Sequence, residues 1–361
     1  MNTYPITLKH ARSIAGRVQD FFRHLREKIA ERGAAVLRMW KVCRTFAGMK
    51  RLKESLRAAL GGRYAGDELP AVVRALCLEG LGLGTAAVYL DEPVTLSEPQ
   101  QAWLTQAVRR LQAGEPLQYV LGTAPFAGLE LKVDRRVLIP RPETAELVAE
   151  TMSKARQANR SPVRILDVGT GSGCIAIALA KALKEAEVTA LDVSEDALDV
   201  ARDNAERAGA RVQFVRADVL SASGQGESLL LEVLPKGCAC IVSNPPYVRE
   251  CERMAMDERV TAWEPQKALF VPDDDPLVFY RALARLGQTE VLADGGWIAV
   301  EINSAFGRET ATLFRLWGYR DVALKEDMYG KPRIVIGRKR GLSGLRSGQG
   351  EDADADVGDS A

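Results

Sequence analysis

From Thr144 onward the chain alternates short apolar segments, rich in branched residues, with longer segments of helical periodicity. This alternation predicts an α/β domain with a doubly wound parallel sheet, because parallel strands need helical crossovers that cover both faces. Ligands of such sheets bind beyond the carboxyl ends of the strands, so the residues after each strand are candidates for a site. The predicted strands are 163–168, 187–193, 211–218, 238–244 and 296–302, and the predicted helices are 174–183, 195–209 and 276–293.

A smaller helical domain is predicted before this region, over residues 56–114. The segments "ELPAVVRALCLEGL" and "SEPQQAWLTQAVRRLQAG" both carry apolar residues at helical spacing. Ser97 is suited to cap the second helix at its start and Gly114 to stop it. Proline and glycine then cluster over residues 115–143, which predicts a connecting hairpin or linker before a catalytic domain over 144–340.

The two ends of the chain differ from the rest in charge. Residues 1–50 carry eleven Lys and Arg against three acids, and we expect residues 1–55 to form a basic helical extension that is poorly ordered or solvated. Such an extension is open to interpretation as a nucleic-acid-facing arm or a targeting peptide. Residues 341–361 are rich in Gly, Ser and Asp, which predicts a disordered acidic tail.

Composition excludes some classes of protein. Among 361 residues, 49 basic side chains nearly balance 48 acidic ones, so no overall field favours a polyanionic partner. The sequence shows no apolar stretch of the roughly 18 residues that a membrane span needs. Six cysteines without a CxxC pair, with two histidines, predict reduced thiols and no metal site. We therefore expect a cytoplasmic protein with no membrane association.

The ends of three consecutive predicted strands carry groups suited to an adenosine-containing cofactor. A glycine turn lets backbone amides approach a ligand at a helix start, although many nucleotide folds have one. A carboxylate at the next strand end can accept hydrogen bonds from both hydroxyls of a ribose. At the third strand end an acid can reach an adenine amino group while an apolar neighbour packs on the ring, although three helix caps would give the same pattern. The predicted cofactor-binding residues here are Gly169, Thr170, Gly171, Ser172, Gly173, Asp192, Asp218 and Val219.

The fourth strand ends in Asn244-Pro245-Pro246-Tyr247, which separates a methyltransferase from a dehydrogenase. An amide nitrogen is a poor nucleophile, so its methylation requires the –NH2 group to be held by two acceptors. Asn244 supplies a side-chain carbonyl, Pro245 supplies a main-chain carbonyl, and Pro246 adds no N–H that would compete. Tyr247 can stack on the planar group or use its hydroxyl. We predict these four as catalytic and substrate-binding residues and assign no general base, since the sequence places no histidine near them.

The segment "IPRPET", residues 139–144, has two interpretations. Its prolines fix an extended entry to a helix that begins at Thr144, with Glu143 favourably placed near the helix start. Alternatively the loop covers the cofactor and the substrate, with Arg141 and Glu143 as substrate-binding residues.

Taken together, four segments resemble the HemK/PrmC family of protein-(glutamine-N5) methyltransferases. The resemblance implies a Rossmann-like class I methyltransferase domain, S-adenosyl-L-methionine as cofactor, and the Gly-Gly-Gln loop of class I peptide chain release factors as substrate. It assigns cofactor contacts to Gly169–Gly173, Asp192, Val219 and Asn244, and the substrate clamp to Asn244–Tyr247. Val219 stands where many members carry an aromatic residue. The matching segments are 114–148, 165–180, 243–248 and 326–339.

Two other functions compete with this one. A DNA or RNA adenine-N6 methyltransferase would grip a flipped base with the same Asn-Pro-Pro-Tyr segment. The near-neutral charge argues against it, and we expect no direct nucleic-acid partner to be required. A non-catalytic cofactor-binding module is disfavoured by the complete set of acceptors.

Overall fold

The computed structural model describes residues 48–158, 160–221 and 225–341. Most of the predicted basic extension and nearly all of the predicted acidic tail therefore lie outside the described residues. The chain divides into two compact units between Leu121 and Gly122.

The first unit is helical. Met49, Leu52, Leu56 and Leu60 follow helical spacing and are fully buried, so one apolar stripe fixes the first helix in the core. That helix crosses position 55, where the sequence predicts the basic extension to end and the helical domain to begin. Ser97 caps the fourth helix as predicted, since its backbone N–H and hydroxyl exchange hydrogen bonds with Gln100 in a capping box. The helices are α1 (Met49–Leu60), α2 (Glu68–Ala75, continued by a π-helical turn over Leu76–Gly80), α3 (Thr85–Tyr89), α4 (Glu98–Gln112) and α5 (Leu117–Leu121).

The second unit begins with an antiparallel hairpin and continues as a seven-stranded sheet with helices on both faces. The hairpin is β1 (Thr123–Phe126) and β2 (Leu129–Lys132). The elements that follow are α6 (Thr144–Gln157), β3 (Val163–Val168), α7 (Cys174–Ala182), β4 (Ala186–Asp192), α8 (Glu195–Ala208), β5 (Val212–Arg216), α9 (Gln225–Val233), β6 (Cys238–Ser243), β7 (Val248–Arg249), α10 (Glu258–Trp263), β8 (Phe270–Val271), α11 (Val278–Gln288), β9 (Leu292–Glu301), α12 (Gly307–Leu316), β10 (Arg320–Glu326) and β11 (Pro332–Arg338).

The sheet has the strand order β10-β11-β9-β6-β3-β4-β5, and its five strands from β9 to β5 are parallel. The predicted doubly wound parallel sheet is found in these five strands, and one edge adds two strands, β11 and β10, that pair antiparallel. β10 lies at that edge and carries charged residues at both ends, "RDVALKE", so it lacks the continuous apolar run of a buried parallel strand.

Two apolar clusters cover the two faces of the sheet, as a doubly wound fold requires. On one face, side chains of α9, α11 and α12 pack against the strands, with Leu283 and Phe314 fully buried. On the other face, α6, α7 and α8 do the same, with Leu147 and Ile177 fully buried. This packing brings the carboxyl ends of β3, β4, β5 and β6 to one edge of the sheet.

A substitution at Gly173, which precedes α7, would show how tightly this edge is packed. Its φ of 82° is one that only glycine adopts readily, and an added Cβ would lie 2.9 Å from Ile177 Cδ1. Gly209 also has positive φ, but its added Cβ would meet nothing within 4 Å. We expect Gly173→Ala to lower the free energy of unfolding by more than about 1 kcal/mol, and by more than the control Gly209→Ala. Urea unfolding measures both, and equal losses would contradict the packing described.

Candidate active site

A cavity of about 280 Å³ lies at the carboxyl ends of β3, β4, β5 and β6. Its size is near the lower end of the range for small-molecule pockets. Three predicted site residues, Gly173, Tyr247 and Glu143, are not on its wall. The predicted site residues that line it are Gly169, Thr170, Gly171, Ser172, Asp192, Asp218, Val219, Asn244, Pro245, Pro246 and Arg141.

The glycine turn after β3 is held against the end of β4. The backbone N–H groups of Gly169 and Thr170 both donate to the carbonyl of Leu191, at 2.8 and 3.0 Å. Gly169 and Gly171 have positive φ, and a Cβ at either would meet open space, so the turn presents bare backbone to the cavity. Its far end is tied to α8, because the Asn204 side chain donates to the carbonyl of Ser172 at 2.9 Å.

Asp167, the penultimate residue of β3, supports this turn from beneath. It is fully buried, and its Oδ2 accepts from the Thr170 hydroxyl at 2.6 Å and the Ala176 N–H at 3.2 Å. Its Oδ1 accepts no hydrogen bond from the residues that the structure describes. Burial raises the pKa of this carboxyl from 3.8 to about 7, against the two hydrogen bonds that lower it.

This pKa predicts a pH dependence of stability. A folded-state pKa above the unfolded value means that the Asp167 carboxyl contributes stability at pH below about 4, which is lost as pH rises to about 7. Asp167→Asn removes the titration and keeps one acceptor oxygen. We therefore expect the stability of the variant relative to wild type to rise between pH 4 and pH 8, by at most about 4 kcal/mol. Urea unfolding across this range measures it, and a difference independent of pH would contradict the assignment.

Asp192 ends β4 and faces the cavity while it holds two loops. Its Oδ2 accepts from the Gly171 N–H and its Oδ1 from the Ser194 N–H, both at 2.9 Å. Burial raises the pKa of this carboxyl, and the backbone hydrogen bonds lower it. Each carboxylate oxygen has a further lone pair, so Asp192 retains acceptor capacity toward the cavity.

The end of β5 contributes a polar group and an apolar wall. Asp218 is half-buried, and its Oδ1 accepts from the Leu220 N–H at 2.9 Å, so it caps the short helical turn that follows. Val219 is buried beside it. Phe279 and Leu283 of α11 line the same cavity, so an aromatic ring is present although it comes from a different element than position 219.

The end of β6 is fixed to the neighbouring strand and to α6. The Ser243 hydroxyl donates to the Val168 carbonyl at 2.7 Å, which joins the ends of β6 and β3. Asn244 Nδ2 donates to Thr144 Oγ1 at 3.2 Å. Its Oδ1 accepts no hydrogen bond from the described part of the chain. Asn244, Pro245 and Pro246 thus form one wall of the cavity with an acceptor available.

Tyr247 turns away from the cavity toward the core. Its ring packs against the apolar cluster that contains Leu283 and Phe314, and its hydroxyl donates to Glu301 Oε1 at 3.1 Å. Burial and the negative charge of Glu301 raise the pKa of the Tyr247 hydroxyl, so it remains a donor. Glu301 Oε2 accepts a second hydrogen bond, from the Thr144 hydroxyl at 2.7 Å.

The segment over residues 139–144 is anchored by a buried acid. Glu264 accepts from the Ile139 N–H at 3.0 Å and from Arg141 Nη2 at 2.6 Å. Arg141 therefore lines the cavity with its charge already paired. Glu143 lies just before α6 and is half-buried, away from the cavity wall.

Sequence reasoning missed four side chains that shape this site: Thr144, Glu264, Phe279 and Glu301. Glu301 left a signal, since it is a single acid in the apolar strand "GWIAVEI" and a buried charge needs partners. Thr144 was identified as the start of a helix within the 139–144 segment but was given no role of its own, and Glu264 and Phe279 left no signal in the local pattern.

The described residues contain no helix suited to crossing a membrane and no group of three or more His, Cys, Asp or Glu side chains that could hold a metal ion.

A doubly wound sheet with a glycine turn, two acids and an Asn-Pro-Pro-Tyr segment at its carboxyl edge defines a class I methyltransferase. A family model described as "Methyltransferase domain" matches residues 165–255, and one described as "PrmC N-terminal domain" matches residues 53–122. The chain belongs to the family of release factor glutamine methyltransferases, which confirms the resemblance to the HemK/PrmC family.

Two relatives and one solved structure illustrate the similarity. The chain is 44% identical over 292 residues to a release factor glutamine methyltransferase of Bacteroides thetaiotaomicron, covering 81% of this chain and all of the relative. The corresponding protein of Koribacter versatilis is 36% identical over 290 residues, covering 80% of this chain and 98% of the relative. The crystal structure of a release-factor-specific protein-(glutamine-N5) methyltransferase from Alicyclobacillus acidocaldarius is 28% identical, with a TM-score of 0.36, and covers 58% of this chain and 99% of that chain.

Proposed function

We propose that this chain methylates the side-chain nitrogen of the glutamine in the Gly-Gly-Gln loop of class I peptide chain release factors, with S-adenosyl-L-methionine as methyl donor. The observation that carries the proposal is the Asn244 amide. Its Nδ2 is engaged by Thr144, and its Oδ1 is available as an acceptor beside the cavity at the end of β6. An acceptor in that position suits a planar –NH2 group, which has two hydrogens to donate.

The chemistry of the cavity fits the cofactor. Asp192 retains a lone pair on each oxygen for the ribose hydroxyls. Val219, Phe279 and Leu283 offer an apolar wall for adenine, with Asp218 at its edge. The bare backbone of the glycine turn suits the close approach of the rest of the molecule. When bound, this cofactor would supply an activated methyl group on a sulfonium.

The residues of this chain would lower the barrier mainly by orientation. Amide nitrogen has a delocalised lone pair, so the –NH2 must be held in line with the methyl group by acceptors for both hydrogens. Asn244 Oδ1 and the Pro245 carbonyl would be these acceptors, and Pro246 has no N–H that would occupy them. Such fixed polar groups do not have to reorganise during the reaction.

Because Arg141 is ion-paired with Glu264, the 139–144 segment would not bind the substrate through a free arginine charge. With its charge paired, Arg141 would form part of the wall that encloses the substrate. Tyr247 would act through Glu301 and not by stacking on the substrate. We propose further that the helical unit matched by the "PrmC N-terminal domain" model binds the release factor.

Transfer of labelled methyl groups tests this proposal against its two competitors. The full chain is incubated with labelled cofactor and either a release factor, the same factor with its Gly-Gly-Gln glutamine changed to alanine, or DNA and RNA. We expect label only in the release factor that keeps its Gly-Gly-Gln glutamine. Label only in nucleic acid would favour the adenine-N6 alternative, and cofactor binding without transfer to any of them would favour a binding module.

A further inference from the structure

The Asn244 side chain, which lines the cavity, carries an acceptor on one branch and two donors on the other. The reaction proposed above needs the carbonyl there, because an Asn244 –NH2 group would meet the substrate –NH2 donor to donor. Neither Pro245 nor Pro246 has an N–H that would select the branch. The orientation of the amide must therefore be set by side chains from other elements.

Thr144, at the start of α6, contacts the –NH2 branch of Asn244, and both residues line the cavity. Its Oγ1 lies 3.2 Å from Asn244 Nδ2 and 2.7 Å from Glu301 Oε2. A hydroxyl has one proton, and an ionised carboxylate has none to donate. The Thr144 proton is therefore given to Glu301, which leaves the Thr144 oxygen able only to accept. Asn244 must then present its –NH2 group to Thr144 and its carbonyl to the cavity.

Glu301 fixes this direction because it accepts at both oxygens. Oε2 takes the hydroxyl of Thr144 and Oε1 takes the hydroxyl of Tyr247, at 2.7 and 3.1 Å. A glutamine at position 301 would offer one acceptor oxygen and one –NH2 donor, so only one of the two hydroxyls could donate to it. The pKa of Glu301 is raised, mainly by burial and also by the charge of Glu143, while the hydrogen bonds from both hydroxyls and the charge of Arg333 lower it.

A buried carboxylate is costly, and a structural contact between α6 and β9 would not require one. Glu301 is 1% exposed and Thr144 is equally buried, at the ends of elements that are adjacent to Asn244. Beyond packing, the carboxylate fixes the direction in which the Thr144 hydroxyl donates, because that hydroxyl can give its proton only to Glu301.

We propose that Glu301 and Thr144 are positioning residues that hold the Asn244 amide with its carbonyl toward the substrate glutamine. This inference rests on the proposed function for its chemistry, while the orientation of the amide can be measured independently.

A double-mutant cycle separates positioning from a structural role. We expect Glu301→Gln to lower the single-turnover rate of methyl transfer roughly tenfold or more, because the Thr144 hydroxyl can then reverse and the amide can flip. In an Asn244→Ala background the same change should have no further effect, since it acts through that amide. A positioning role also predicts that Thr144→Val lowers the rate and that Thr144→Ser, which keeps the hydroxyl, restores most of it.

Tyr280→Phe is the matched control for loss of a hydrogen bond to the same residue. The Tyr280 hydroxyl donates to the main-chain carbonyl of Glu301 at 3.3 Å and has no part in the side-chain network. We expect this variant to lose stability and to keep its transfer rate per folded molecule. Equal losses of rate in Tyr280→Phe and Glu301→Gln, or additive losses in the cycle, would overturn the proposal.

Nuclear magnetic resonance gives a readout that does not depend on activity. In wild type the Asn244 side-chain amide protons should show a cross-relaxation contact with the Thr144 methyl group, and Asn244→Ala assigns the signal. The contact should weaken in Glu301→Gln. An unchanged contact in that variant would overturn the positioning role. A wild-type chain that shows the contact but methylates no release factor would contradict the proposed function and support the orientation.

Discussion

Asn244→Ala is expected to lower the single-turnover rate of methyl transfer by about 10²-fold or more, with little change in cofactor affinity or melting temperature. The magnitude is that of removing one preorganised polar contact from a transition state. Within the described part of the chain, the Asn244 side chain makes one hydrogen bond, to Thr144, so the fold loses little when it is truncated. Rapid-quench kinetics with saturating cofactor measures the rate, and calorimetry and thermal melting serve as controls.

Asn244→Asp gives a sharper result from the same position. A carboxylate still accepts hydrogen bonds, but it would face the Thr144 oxygen, whose proton is already donated to Glu301. Its charge would also stabilise a cationic sulfonium in the ground state, which loses its charge as the methyl group leaves, and so slow transfer. We expect cofactor binding to be retained and transfer to be slowed. A variant that melts early but methylates normally per folded molecule would return Asn244 to a structural role.

Asp192→Ala is expected to weaken cofactor binding by roughly 10- to 150-fold. This range corresponds to about 1.5–3 kcal/mol for each lost hydrogen bond to a charged acceptor, so it is the effect of losing one of the two and a lower bound for losing both. Part of the effect would come from the glycine turn, because Asp192 also accepts the Gly171 N–H at 2.9 Å. Asp192→Asn keeps one acceptor oxygen and should fall between wild type and Asp192→Ala.

Asp196→Ala is the matched control for this prediction, since Asp196 is an exposed acid four positions further on, in the first turn of α8. We expect its affinity for the cofactor to equal that of wild type in calorimetry. If Asp192→Ala binds as tightly as Asp196→Ala, Asp192 has no part in the cofactor site.

The parts of the fold that the sequence predicted are those with a local signal. The strands from β3 to β6 were predicted by their apolar runs, and the turn between β3 and α7 by three glycines, each of which has positive φ. The antiparallel strands β10 and β11 were missed. β10 is an edge strand with charged residues at both ends, so it has neither a continuous apolar run nor strict alternation. β11 lies inside the sheet, and its buried segment "IVIG" was a signal that was not assigned to a strand.

The parts of the site that were missed depend on contacts between distant positions. Thr144 and Glu301 are 157 positions apart, and Arg141 and Glu264 are 123 apart. Periodicity and turn chemistry report on neighbours within a few residues, so they assigned Arg141 a substrate-binding role without its ion pair. In the same way, the sequence indicated that Tyr247 stacks on the substrate or uses its hydroxyl, and it could not show that this hydroxyl is bound to Glu301. The sequence showed which groups gather at the strand ends, and the long-range contacts show which of them are free to act.

Fragment-ion mass spectrometry of the Gly-Gly-Gln peptide, taken from a release factor after reaction with the full chain, tests the central claim most directly. We expect a single added methyl group on the side-chain nitrogen of the glutamine, formed by wild type and nearly absent with Asn244→Ala after the same time. A methyl group on any other residue of the factor, or an unmodified peptide after exhaustive reaction with a folded, cofactor-binding enzyme, would contradict it.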